Sequence, residues 1–159
     1  MTDERLDQIL KQALAPEIQL SGISKNYENK SVLTDMTIKF ESGTVTAISG
    51  PSGRGKTTLA MIIAGLVEAD AGKVEMRGAA DVKLSFLFQE DRLLPWLTVY
   101  DNMALGLKLR DLPRTVINTR VKTAAAFLGI SDILTKKIRS ISDSERQRVA
   151  LGRAIVCHP

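Results

Sequence analysis

One stretch of the sequence combines three glycines, a lysine and two threonines at the spacing G-x-x-x-x-G-K-[ST]. The stretch consists of Gly50, Pro51, Ser52, Gly53, Arg54, Gly55, Lys56, Thr57 and Thr58. Glycines let the backbone curl into a concave nest of N–H donors, without side chains in the way of an anion. A β-rich run precedes the stretch and an amphipathic helix follows it, so it is predicted to bind phosphate groups.

Each polar side chain of this phosphate loop has a predicted task. The Lys56 ammonium would contact the β- and γ-phosphates of a nucleotide, and the Thr57 hydroxyl would bind Mg²⁺, which prefers hard oxygen ligands. Thr58 would donate to an α-phosphate oxygen, and the positive N-terminus of the following helix would face the same anion. The loop alone does not separate a kinase, a GTPase and a transporter ATPase.

The elements around the loop follow from the hydrophobic pattern. Residues 17–27 and 31–40 alternate apolar and polar side chains, which predicts two antiparallel strands joined at Glu28 to Lys30. TVTAIS (44–49), GKVEMRG (72–78) and VKLSFLFQ (82–89) are predicted to be further strands. Helices are predicted from Lys56 after the loop, over 98–109, from about Pro113 to Leu128, and from about Ser142 to Val156. The fold class is therefore α/β.

The bulk properties exclude several classes of protein. The chain of 159 residues suits one domain, and its 22 basic and 18 acidic residues give a net charge of +4 without a basic stripe, so no nucleic-acid partner is expected. The single cysteine, Cys157, favours a reducing compartment. The longest apolar run, Leu59 to Val67, is too short to span a bilayer, so membrane association would need a partner.

The motifs together resemble the ATP-binding subunits of ATP-binding cassette (ABC) transporters. GPSGRGKTTL around the phosphate loop is similar to the family's GPSGSGKSTL, and ISDSERQRVALGRAI (141–155) is similar to its signature LSGGQRQRVALARAL. Tyr27 resembles the aromatic residue that stacks on adenine, although a half-buried strand residue is the alternative from the pattern alone. Gln89 resembles the glutamine-loop residue that contacts Mg²⁺ or the attacking water, and Ser142 matches the signature serine.

The resemblance implies a P-loop NTPase core of ABC type with an antiparallel β region and a helical insert, incomplete at the C-terminus. The expected organisation is an amphipathic extension over 1–16 and a partial nucleotide-binding domain over 17–159. Within that domain the β-rich and P-loop core covers about 17–93, the helical subdomain about 94–141, and the signature helix about 142–156. The N-terminal extension would pack on its own domain or dock on a partner.

The resemblance also implies cofactors and partners. ATP and Mg²⁺ would be bound, with Thr57 and Gln89 as metal-binding residues. The partners would be a membrane-spanning permease and a second ATP-binding subunit in a head-to-tail dimer, with the chain on the cytoplasmic face of the cell membrane. The run LLPW, Leu93 to Trp96, resembles importers of the nitrate, sulfonate and taurine type, where this stretch faces the permease; Trp96 is otherwise a core residue.

Two departures from the family pattern leave the activity open. Asp143 and Ser144 replace the two signature glycines, and Asp143 would bring a negative charge towards a polyphosphate. Ser142 and Glu145 nevertheless have the spacing of a capping box, which predicts an intact helix. The sequence also stops at Cys157-His158-Pro159, before the family's Asp-Glu strand, with His158 expected at the surface.

The expected function is an ATPase subunit that energises import of a small solute. A nucleotide binder that does not hydrolyse ATP, and a decayed remnant of such a subunit, are the alternatives, because no acidic residue can be assigned as the catalytic base by motif. A nucleic-acid-associated ATPase of the same superfamily is a weaker rival, since LLPW indicates a membrane-transport partner.

Overall fold

The computed structural model describes residues 16–28, 30–78 and 82–157, which form two compact units divided between Val82 and Lys83. The predicted N-terminal helix over 1–15, and His158 with its expected surface position, lie outside the described residues. The division of the nucleotide-binding domain near residue 93 stays a prediction. In the described part of the chain, each helix is too short or too polar to cross a membrane.

The first unit contains a three-stranded antiparallel sheet in the order β2-β1-β3. Its strands are β1 (Glu17–Tyr27), β2 (Lys30–Phe40) and β3 (Ala71–Arg77), so the predicted pairing of the first two strands and the strand over GKVEMRG are confirmed. A bulge at Gly22, whose φ is 63°, shifts the register. Leu20 and Ile23 therefore both point into the core despite their odd spacing.

Helix α1 (Lys56–Ile63) packs its apolar face on this sheet. Leu59 and Ile62 lie one turn apart on the helix and are buried with Leu20, Ile23 and Leu33 of the strands. The helix ends at Ile63, before the apolar run KTTLAMIIAGLVEA (56–69) does, because a turn at Gly65, with a φ of 69°, follows it. The contact between α1 and the sheet holds the start of the helix, and with it the phosphate loop.

Two predicted strands are wrong. TVTAIS (44–49) and VKLSFLFQ (82–89) form no strand in the structure, and they leave Val45, Ile48, Leu84 and Leu87 exposed. The hydrophobic pattern records only a preference for extended backbone, whereas a strand exists when a neighbouring backbone completes its ladder of hydrogen bonds. In the second of these segments, the Ser85 hydroxyl instead contacts the last helix and donates to the Ala154 carbonyl at 2.8 Å.

The second unit is helical. It consists of α2 (Val99–Lys108), α3 (Arg114–Phe127) and α4 (Asp143–Ile155), with short 3₁₀ turns at Ser131–Ile133 and Ile138–Ser140. The three helices confirm the predicted ones to within a few residues. One face of α3, formed by Ile117, Val121, Ala124 and Ala125, is buried, and it packs with the apolar side chains of α2 and α4 in one core. Fully buried members of that core are Val99, Met103, Leu107, Val121 and Val149.

Candidate functional site

The phosphate loop has the backbone that its glycines predict. Gly50, Gly53 and Gly55 all have positive φ values, of 149°, 72° and 79°, and α1 begins directly after them at Lys56. Residues that carry a Cβ atom are disfavoured in such conformations. The loop is exposed up to Arg54, whereas Gly55 is buried. The exposed side of the loop is therefore the side on which an anion could be received.

Gly55 is also required by its packing. A Cβ at this position would lie 2.8 Å from Leu33 Cδ2 and 2.8 Å from the Val32 carbonyl oxygen, both on β2. By contrast, a Cβ at Gly50 or Gly53 would meet nothing within 4 Å. The last glycine thus lets the loop rest directly on the sheet, while the other two face open space that side chains would fill.

Lys56 reaches back across the loop that precedes it. Its ammonium Nζ donates to the carbonyl oxygens of Gly50 and Pro51, at 2.7 Å in each case. The positive charge is thereby held against the backbone of the loop. Phosphate oxygens bound by the N–H groups of that loop would be within reach of the same ammonium.

The first turn of α1 is left open to an anion. Its N-cap, Gly55, offers no side-chain hydrogen bond, and no acidic residue lies in the first turn. Thr57 is exposed there and Thr58 is half-buried. The first N–H groups of a helix lack partners within the helix and attract negative charge. Loop, lysine and helix start could therefore receive a polyanion, and the exposed Thr57 hydroxyl is an oxygen atom that could bind a hard cation such as Mg²⁺.

Tyr27 is the last residue of β1 and is 45% exposed, so its ring is available to a ligand. The structure places the Lys25 ammonium over the ring, 5.7 Å from its centroid. Lys25 is in turn bound to Asp70, a residue that the sequence analysis did not single out. Tyr27, the phosphate loop and Asp70 all belong to the first unit, whereas Gln89 and Ser142 belong to the second.

In the second unit Gln89 lies at the edge of a groove of about 550 Å³. The groove also contains residues of the signature segment, among them Ser144, Gln147 and Arg148. Phe88 and Leu151 add apolar surface. The structure thus brings Gln89 and Ser144, near the start of α4, to one groove, which their spacing of 55 residues in the sequence did not reveal.

Ser142 caps α4 in the predicted capping box. Its hydroxyl accepts from the Glu145 N–H at 3.4 Å, while its own N–H and hydroxyl each donate to Glu145 Oε2 at 2.7 Å. The hydrogen bonds from Ser142 hold the pKa of Glu145 below its ordinary value of 4.5. Glu145 takes the place of the glutamine in the family signature, so the signature segment carries a second added carboxylate besides Asp143.

Two arginines of α4 connect the signature helix to the turn after Gln89. Arg153 donates to the carbonyl oxygens of Asp91 and Arg92, at 2.8 and 2.9 Å. Burial lowers the pKa of Arg153 from its ordinary value, and the Asp91 charge opposes that shift. Arg146 Nε lies 3.6 Å from Asp91 Oδ2, and its Nη1 lies 3.5 Å from Asp143 Oδ1. Their spacing of seven residues on one helix was the signal available in the sequence.

The turn that carries Trp96 is held by a buried amide. Asn102 is fully buried; its Oδ1 accepts from the Leu94 N–H at 2.8 Å, and its Nδ2 donates to the carbonyls of Leu94 and Thr98. Trp96 itself is 65% exposed, so the alternative that it is a core residue is wrong in this structure. A fixed turn with an exposed indole is a suitable anchor for a partner protein.

Comparison with known proteins identifies the family. A profile described as ABC transporter matches residues 33–159, which is most of the chain. The chain belongs to the ABC transporter family. The expected α/β fold is confirmed by a solved structure of this family, cbiO1 from Clostridium perfringens, part of the transporter complex cbiONQ. It aligns with a TM-score of 0.77 and 24% identity over 91% of this chain and 63% of that one.

Several relatives in the sequence comparison are named as import ATP-binding proteins. The spermidine/putrescine protein PotA of Bacteroides fragilis is 38% identical over 89% of this chain and 32% of its own length. The sn-glycerol-3-phosphate protein UgpC of Paracoccus denitrificans is 40% identical over 89% and 42%, and the molybdate/tungstate protein WtpC of Thermococcus kodakarensis 38% over 89% and 45%. The chain thus spans less than half of each relative. Their names do not support the expected nitrate, sulfonate and taurine type.

Proposed function

We propose that this chain binds MgATP at the phosphate loop as part of an ATP-binding subunit that energises the import of a small solute. The observation that carries the proposal is the arrangement around Lys56. Three glycines with positive φ form a loop, the Lys56 ammonium lies across its carbonyls, and the uncapped helix α1 starts beside it. The combination concentrates N–H donors and a positive charge where a polyphosphate would bind.

Each of these residues would bind a different part of the nucleotide. The loop from Gly50 to Gly55 would surround the phosphates with N–H groups, and Lys56 would bind the β- and γ-phosphates. Thr58 would donate to the α-phosphate, and the exposed ring of Tyr27 would stack on adenine. Such stacking holds a base without reading its edges.

In the first unit the metal would be held by the Thr57 hydroxyl, and Gln89 is the residue of the second unit proposed to bind Mg²⁺. When bound, Mg²⁺ would neutralise part of the charge on the phosphate oxygens. The Thr57 hydroxyl lies in the exposed part of the first turn of α1, and the Gln89 side chain is exposed at its groove. Both are neutral ligands, so they would bind the cation without competing with the phosphates as charges.

The proposed partners are a membrane-spanning permease and a second ATP-binding subunit. The exposed Trp96 on its Asn102-anchored turn supports a protein contact at the LLPW run. Through the permease, the chain would be held at the cytoplasmic face of the cell membrane. The relatives are named for polyamines, glycerol phosphate and oxyanions, so the solute of this transporter is proposed only as small. The nitrate, sulfonate and taurine type rests on Leu93 to Trp96 alone.

The test is a titration of the chain with MgATP, monitored by isothermal titration calorimetry. We expect Lys56→Ala to weaken binding roughly 10- to 100-fold, because charge-assisted contacts of this kind are worth about 1.5–3 kcal/mol. Lys73→Ala is the matched control, since Lys73 is an exposed lysine of the same unit that pairs with Glu75 on β3. Equal affinity for the parent and Lys56→Ala would contradict the proposal.

A second candidate function is nucleotide binding without hydrolysis. It is favoured by the signature segment, where Asp143 is 96% exposed and Glu145 occupies the glutamine position. Two carboxylates there would repel the γ-phosphate that a signature segment contacts across a dimer. Release of inorganic phosphate by the parent chain, absent in Lys56→Ala, would exclude this candidate.

A further inference from the structure

Both carboxylate oxygens of Asp70 bind the residues that precede Tyr27. Asp70 Oδ1 accepts from the Lys25 ammonium at 2.7 Å, and Oδ2 accepts from the Asn26 N–H at 2.7 Å. The Asn26 side-chain amide adds a longer contact of 3.4 Å to Oδ2. One side chain from the connection between α1 and β3 thus fixes the backbone and the neighbouring cation of the tyrosine.

The backbone of Asp70 is fixed to the same strand. Its N–H donates to the Ser24 carbonyl at 2.9 Å, and the next residue, Ala71, is the register partner of Ser24. Asp70 is therefore held beside β1 whatever its side chain does. Because the backbone of Asp70 is already fixed, its carboxylate loses little conformational entropy when it binds Lys25 and Asn26. These hydrogen bonds can therefore orient the end of the strand.

Lys25 is largely buried and lies against the tyrosine ring. Its side chain is only 16% exposed, and its ammonium lies over the ring of Tyr27, 5.7 Å from the centroid. A largely desolvated ammonium needs a nearby counter-charge, which Asp70 supplies. The hydrogen bonds from Lys25 and from the Asn26 N–H hold the pKa of Asp70 below its ordinary value of 3.8, so the carboxylate is charged at neutral pH.

We propose that Asp70 is a positioning residue for the nucleotide base: through Lys25 and the Asn26 N–H it orients Tyr27, and Lys25 covers one face of the ring so that the base stacks on the other. The inference rests on the proposed function, because it takes Tyr27 as the base-binding residue. It adds that the connection following α1, the helix that would bind the phosphates, also sets the position of the base.

The experiment separates the base from the phosphates by using two ligands. The full chain is titrated with Mg²⁺ and either ATP or inorganic tripolyphosphate, which lacks the base and the sugar. Tyr27→Ala is expected to weaken ATP binding about tenfold, the range of one lost base–aromatic stack, while tripolyphosphate binding stays within about twofold. Asp70→Ala should weaken ATP binding about threefold and again leave tripolyphosphate within about twofold. Lys56→Ala should weaken both ligands.

A double variant shows whether Asp70 acts through the tyrosine. When Tyr27 is already alanine, adding Asp70→Ala should leave ATP affinity unchanged, because the ring to be positioned is gone. Asp70→Asn keeps an acceptor for the Asn26 N–H and should preserve part of the preference for ATP, which a loss of folding would not. Glu75→Gln, which disrupts ion pairs with Lys73 and Arg77 in the same sheet, is the matched control.

The outcomes distinguish the inference from the proposed function. An equal loss of ATP and tripolyphosphate affinity in Asp70→Ala, or an unchanged ATP affinity, overturns the inference alone. The same holds if Asp70→Ala still weakens ATP binding in the Tyr27→Ala background. A parent chain that binds neither ligand, or a Lys56→Ala variant that binds both as well as the parent, overturns the proposed function and the inference with it.

Discussion

The starts of α1 and α4 are two solutions to the same physical problem. The first N–H groups of any helix need hydrogen-bond acceptors. At α1 the preceding residue is Gly55 and no side chain supplies an acceptor, whereas at α4 Ser142 and Glu145 form a complete capping box. One helix start therefore remains available to an anion from outside the chain, whereas the other is capped by the Ser142 hydroxyl, with the Glu145 carboxylate bound to the N–H of Ser142.

The same contrast appears in the charges near the two helix starts. α1 has no acidic residue in its first turn, and the Lys56 ammonium is folded over the loop before it. α4 has both Asp143 and Glu145 in its first turn. Acidic residues in the first turn stabilise a helix, because their negative charge lies near the positive end of the helix dipole. A helix start without such residues therefore has lower local stability. At α1, a bound phosphate group would supply the negative charge that is missing from the first turn and would restore this stability.

The largest effect is expected from Gly55→Ala. The alanine would have to adopt a φ of 79°, and its Cβ would lie 2.8 Å from atoms of Val32 and Leu33. We therefore expect a loss of about 2–4 kcal/mol in the free energy of unfolding. Gly53→Ala is the matched control, because Gly53 has a similar φ of 72° and open space around it. Its expected cost is about 1 kcal/mol. Chemical denaturation followed by circular dichroism measures both, and equal losses would contradict the packing argument.

A smaller effect is expected at the capped helix. Ser142→Ala removes the side-chain acceptor of the Glu145 N–H, and we expect a loss of about 1 kcal/mol in the free energy of unfolding. Tripolyphosphate binding should not change, since the open helix start is at α1. Ser144→Ala, in the same turn, is the control: it removes a hydroxyl 3.2 Å from that of Ser142 but keeps the acceptor of the Glu145 N–H, so it should cost clearly less than Ser142→Ala. An equally destabilised Ser144→Ala would show that the whole turn is sensitive rather than the cap.

The smallest effect depends on pH. The pKa of Glu145 is lowered in the folded chain, so its charged form stabilises α4 fully above its ordinary value of 4.5, and this contribution is lost as the pH falls through the lowered pKa. The difference in Tm between the parent and Glu145→Gln should therefore shrink as melts are taken from pH 7 to pH 3. Asp143→Asn is the control, because the exposed pair with Arg146 at 3.5 Å should shift Tm by no more than about 2 °C. A difference that grows in acid would contradict the assignment.

The local features of the candidate site could be predicted from the sequence. The phosphate loop, the helix after it and the capping box each depend on residues within a few positions of one another. Glycine conformations, helix caps and amphipathic faces are decided by that short range. The family resemblance rests on the same motifs, in the same order along the chain.

The sequence could not determine the features that depend on distant residues. TVTAIS and VKLSFLFQ have the composition of strands, but a strand forms only when another backbone completes its hydrogen bonds. Trp96 is apolar, yet it is 65% exposed on a turn that the buried Asn102 holds through Leu94. Asp70 lies far along the chain from Lys25, and no local pattern connects them. Its role follows from the tertiary structure, because the antiparallel pairing of β1 with β3 brings the carboxylate to the end of the strand that carries Tyr27.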